Sequence, residues 1–92
     1  KLKIIDLRWI SPLDEVALVK ELAHVSNILI VDECRRTGSL AEGLAAMIAE
    51  KISPVPKVKI LAAENCFIPL GLAAELGLPS RDSIVAGALA ML

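Results

Sequence analysis

Asn27-Ile28-Leu29-Ile30-Val31-Asp32 runs straight into Glu33-Cys34-Arg35-Arg36-Thr37-Gly38-Ser39-Leu40-Ala41-Glu42-Gly43. An unbroken aliphatic run with polar ends suits a strand buried on both faces, as in a parallel sheet. Arg35–Gly38 reads as a loop. Ser39 and Glu42 have the spacing of a capping box, and Leu40, Leu44, Met47, Ile48 and Ile52 continue one helical face. A buried strand feeding an amphipathic helix is the repeating half of an α/β domain.

The flanks carry the same alternation. Leu2–Leu7 has the β-branched density of a short strand. Ser11-Pro12-Leu13-Asp14 opens a helix: the serine can cap, proline fits the first helical position, and Asp14 can reach back to the cap. Val16, Val19, Leu22 and Ala23 repeat at helical spacing and carry it to about Ala23–Val25. Beyond the central helix, Pro54-Val55-Pro56 is a stop. Lys57-Val58-Lys59-Ile60 alternates, which predicts a strand with one wet face whose lysines suit a sheet edge. Ala62–Leu70 is expected to be irregular and Gly71–Leu76 a short helix. Pro79-Ser80 then starts a last helix with Ile84, Val85, Ala88, Leu89 and Leu92 facing inward. The expectation is one α/β domain over residues 1–92, a three-layer α/β/α arrangement around a mostly parallel sheet.

Ninety-two residues suffice for one domain and not for two. Hydrophobic residues make up 55% of the chain, mean hydropathy is +0.65, and Trp9 and Phe67 are the only aromatics. So much aliphatic surface in so short a chain implies that another domain or subunit covers part of it. Ten basic and eleven acidic side chains are interspersed, with a net charge of −1. A nucleic-acid interface would ask for a basic stripe with stacking aromatics, and neither is present. No apolar run approaches the ~20 residues that cross a bilayer. Lys1–Asp6 reads as a strand cut into mid-domain rather than a signal peptide. Cys34 and Cys66 lie far apart with only His24 as a nitrogen ligand, which argues against zinc and a disulfide framework. A reducing, intracellular compartment follows.

The chemistry-bearing residues read as follows. Gly38 and Gly43 have the spacing of a phosphate-binding P-loop, but Leu44 and Ala45 stand where the lysine and the serine or threonine belong. A free-standing anion site built on Arg35, Arg36 and the Gly38–Ser39 helix start is the competing reading. The favoured one has the arginines pairing with carboxylates on a neighbouring domain. Asp32 and Glu33 close a strand and, as neighbours, point to opposite faces, so they make a poor catalytic pair. His24 reads as a helix-end residue and Cys34 as an ordinary thiol.

Taken in order, Ile5-Asp6-Leu7-Arg8 with Ser11-Pro12-Leu13-Asp14, Val31-Asp32-Glu33 with Arg36-Thr37-Gly38, Ala41-Glu42, Phe67-Ile68-Pro69 and Leu78-Pro79-Ser80 resemble one family across nearly the whole chain. That family is the C-terminal domain of transketolase-like thiamine-diphosphate enzymes, most of all the β-subunit or β-region of 2-oxo acid dehydrogenases of pyruvate or branched-chain type. Trp9, Cys34 and Ser39 depart from its usual residues at positions that touch no cofactor. The resemblance implies that thiamine diphosphate and its magnesium are held by other domains, with no catalytic, cofactor or metal residue here. It implies a non-catalytic assembly domain in an oxidoreductase that decarboxylates a 2-oxo acid and passes the acyl group to a lipoyl carrier. Its partners would be other domains or subunits in a homodimer or heterotetramer, and a dihydrolipoyl acyltransferase core, with no nucleic acid and no membrane. The location would be cytoplasmic, or the mitochondrial matrix in a eukaryote. Transketolase, deoxyxylulose-phosphate synthase and 2-oxo acid:ferredoxin oxidoreductase carry equivalent domains.

The expected interface residues are Glu33, Arg35, Arg36, Thr37, Gly38, Ser39, Glu64, Phe67, Ile68 and Pro69, in loops after strands. Family sheets have five strands, and one would lie between Leu2–Leu7 and Asn27–Asp32. The expectation is therefore that 1–92 is a truncated domain, or that another segment fills that gap.

Overall fold

Two parallel strands, β1 (Asn27–Arg35) and β2 (Lys57–Ala63), form the sheet of the computed structural model, which describes residues 1–92. Three helices surround it: α1 (Glu15–Leu22), α2 (Leu40–Lys51) and α3 (Arg81–Leu89), with a 3-10 helix at Gly71–Leu76. The register sets Ile28 beside Val58 and Ile30 beside Ile60. Alternate strand residues share a face, so these four lie on one side of the sheet. On that side Leu18 and Leu22 of α1 meet Leu44, Met47 and Ile48 of α2 and the adjoining Ile52 around Ile28. On the other side Gly87 of α3 lies so near Leu29 that an added methyl carbon would come within 3.5 Å of its Cδ2. The result is the expected α/β/α layering, built on a parallel sheet.

The helices start where carboxylates and hydroxyls can take up orphan backbone donors. Asp14 caps α1, its Oδ1 accepting from the N–H of Ala17 at 2.9 Å. Ser80 caps α3, accepting from the N–H of Ser83 at 3.1 Å. The first helix therefore begins at Glu15, three residues beyond the serine–proline start the pattern suggested. Its inner face is Leu18 and Leu22, while Val16 is exposed. A start at Glu15 leaves eight residues, and only one apolar stripe on two turns reaches the sheet.

Four other expectations change. Leu2–Leu7 is not a strand: a strand exists by pairing, and this segment has no hydrogen-bonded neighbour in the sheet. Arg35 belongs to β1 instead of the following loop, paired with Ala63 after a register shift beyond Asp32. The run Ile28–Val31 is not buried on both faces, since Val31 is 42% exposed. In α3 the inward residues are Ile84, Gly87 and Ala88, followed by Met91; Val85, Leu89 and Leu92 are exposed. With two strands, the sheet is too narrow to cover the α3 layer.

That narrowness shows in the whole molecule. The chain exposes 7078 Å², against about 5,200 Å² for a folded monomer of 9.8 kDa. Its radius of gyration is 13.9 Å, against about 12.3 Å for a compact domain of this length. It has 39 backbone–backbone hydrogen bonds, where a globular chain of this size makes roughly 60–70. Surface and backbone groups are left over that folding ordinarily satisfies.

Candidate functional site

The loop that leaves β1 is held by its own polar groups. Asp32 places one carboxylate oxygen 2.9 Å from the N–H of Cys34 and the other 3.2 Å from that of Ala41, so it fastens the strand end to the first turn of α2. Gly38 has a φ of +73°, in the left-handed region that glycine enters without penalty. Its N–H donates to Glu42 Oε2 at 2.9 Å. Thr37 donates its N–H to Asn65 Oδ1 at 3.1 Å, and Arg36 donates from Nη1 to the carbonyl of Ile60 at 3.3 Å. The expected Ser39–Glu42 capping box is thus rearranged. Ser39 makes no side-chain cap bond and its Oγ is buried without a partner, while Asp32 accepts from the N–H of Ala41 and Glu42 turns to Gly38 instead of Ser39.

These bonds decide what the loop can bind. The start of α2 is a positive dipole end; Asp32 takes the Ala41 N–H there, and Glu42 takes the Gly38 N–H just before the helix. An anion approaching there would meet two carboxylates. Arg35 and Arg36 are exposed beside them. No group of three or more His, Cys, Asp or Glu is placed to hold a metal ion. Cys34 and Cys66 are exposed free thiols, and His24 is exposed just past the end of α1.

The two loops proposed from sequence do meet, through the Thr37–Asn65 bond. Glu33, Arg35, Arg36, Thr37 and Gly38 present one exposed rim, and Glu64, Phe67, Ile68 and Pro69 the other. Ser39 is the exception, being only 9% exposed and so out of reach of any partner. The second loop is pinned at its base, where the N–H of Glu64 donates to Gly77 O at 3.1 Å and that of Cys66 to Glu64 O at 2.8 Å. Above that base Phe67 is 98% exposed, and Leu70, Leu72 and Leu76 stand almost as free. Single exposed apolar residues are ordinary, but here several large ones stand exposed within ten residues. The expected contact segment Glu64–Leu70 contains Asn65 and Leu70, whereas Leu72 and Leu76 lie beyond it. Their signal was present: large apolar residues in a stretch with too little regular structure to bury them.

A second surface lies at the opposite edge of the sheet. β1 is hydrogen-bonded only to β2, and along its other edge runs a cleft of about 570 Å³, with Leu2–Leu7 as its far wall. Leu44 and Ile48 of α2 line it from one layer, and Ile84 and Ala88 of α3 from the other. Lined from both layers, the cleft occupies the place where a further strand would continue the sheet. Its far wall is tethered by an ion pair between Lys3 and Glu21 of α1. The hydrogen bond and charge of Lys3 hold the exposed Glu21 carboxyl below the ordinary carboxylate range.

Known proteins share this domain's sequence. The family model described as the transketolase C-terminal domain matches residues 1–76. The β subunit of acetoin:2,6-dichlorophenolindophenol oxidoreductase from Bacillus subtilis is 32% identical over 98% of this chain and 27% of its own length. The β subunit of the pyruvate dehydrogenase E1 component from Staphylococcus epidermidis is 28% identical over 98% of this chain and 28% of its own. A chloroplastic E1 β subunit, β-3 of Arabidopsis thaliana, is 27% identical over 80% of this chain and 18% of its own. The chain thus spans about a quarter of the length of the first two relatives. No solved structure gives a significant match. No helix is long and apolar enough to cross a membrane.

Proposed function

The chain belongs to the transketolase C-terminal domain family, and from that premise we propose that it is the assembly domain of an E1 β-type oxidoreductase subunit. One observation carries the reading. The chain exposes about 1,900 Å² more than a monomer of its mass, and large apolar side chains stand on that surface. Obligate interfaces bury about 1,000–2,500 Å² on each partner, so the excess is the size of one such contact.

The division of labour follows from the family membership. Thiamine diphosphate and its magnesium belong to other domains of the parent enzyme. The loops Glu33–Gly38 and Glu64–Leu70 meet neighbouring domains or the second subunit of a homodimer or heterotetramer. The Phe67–Leu76 surface supplies the apolar contact, and an acyltransferase core is a further docking partner. The cleft beside β1 receives a strand from elsewhere in the assembly, which would satisfy the backbone groups on that edge. The parent reaction is oxidative decarboxylation of a 2-oxo acid, in the cytoplasm or an organelle. A second reading, that the parent acts on acetoin, is favoured by the 32% identity to the acetoin enzyme's subunit. Assaying the full-length enzyme with pyruvate and with acetoin separates the two.

The assembly role is tested in the full-length enzyme by sedimentation equilibrium of Arg36→Glu and Phe67→Asp. Each variant is expected to raise the subunit dissociation constant tenfold or more. Phe67 touches nothing that holds the fold, so its variant reports on assembly alone. Unchanged dissociation constants for both would overturn the reading.

A further inference from the structure

We draw no further inference here: the strongest candidate, the apolar cleft between Leu2–Leu7 and the free edge of β1, belongs to the assembly surface already proposed, and nothing in the structure shows what covers it.

Discussion

The two faces of the sheet are finished to different degrees. On the α1–α2 face, Leu18, Leu22, Leu44, Met47, Ile48 and Ile52 close over Ile28, and all seven are buried. On the α3 face, Gly87 and Met91 are buried, while Val85, Leu89 and Leu92 of the same segment face solvent. The helices differ in kind as well as in surroundings, since α3 is the least amphipathic of the three. The width of what lies beneath differs too: α2 crosses both strands and shares a core with α1, whereas α3 meets one strand with an open edge. Burial here follows both the neighbours a helix finds and the strength of its apolar face. One face is closed by the chain's own helices and the other is left open.

The sharpest way to break this contrast is to remove volume from the finished face. Ile48, the largest fully buried side chain, loses its packing in Ile48→Ala, which should cost about 2–5 kcal/mol in urea unfolding. Leu89→Ala on the α3 side, where that residue is exposed, should lie within about 0.5 kcal/mol of the parent chain. Equal losses would mean that the two sides do the same job. Next in size is Asp32→Ala, which leaves the N–H groups of Cys34 and Ala41 without their acceptor. A loss of about 1–2 kcal/mol is expected, with faster amide exchange at Ala41. Smaller, and of opposite sign, is Gly87→Ala. The added carbon meets Leu29 at ordinary contact distance, so helix propensity should raise stability by about 0.5–1 kcal/mol.

The smallest effect concerns the wall of the cleft. Glu21 has a folded-state pKa below its unfolded one, so its contribution is present above the unfolded value and is lost as pH falls through the folded value. Lys3 and Glu21 are both exposed, so the loss should be slight and should fade further with added salt. An NMR titration checks it. The Glu21 carboxyl should move back toward the ordinary range in Lys3→Ala, and an unmoved titration would detach the N-terminal segment from α1.

The parts of the fold legible in sequence were those decided locally. β1, α2, β2, the 3-10 helix and the start of α3 each sit where an apolar period meets a cap or a proline stop. The parts that were not legible depend on neighbours. Leu2–Leu7 has strand composition but no partner to pair with, and Val85, Leu89 and Leu92 keep helical spacing with no sheet beneath them. Ser39 stands at the cap position without a side-chain cap bond, and the three-dimensional return of Asp32 to the Ala41 N–H is not visible in the local pattern. Of the first candidate loop, Glu33 and Arg35 lie in β1, and the Thr37–Asn65 bond joins the remainder to the second. Leu72 and Leu76 fall outside the expected contact segment because a short helical pattern suggests burial that a lone 3-10 turn cannot provide.

The central claim is that the open edge of β1 and the Phe67–Leu76 surface are covered in the complete enzyme. Hydrogen exchange tests it most directly, comparing the 92-residue chain with the full-length assembled enzyme at the same pH and temperature. Amides of β1 and of Phe67–Leu76 should exchange at least tenfold more slowly in the assembly, while those of the α2 core change little. Equal rates for β1 and for Phe67–Leu76 in the two forms would contradict the account.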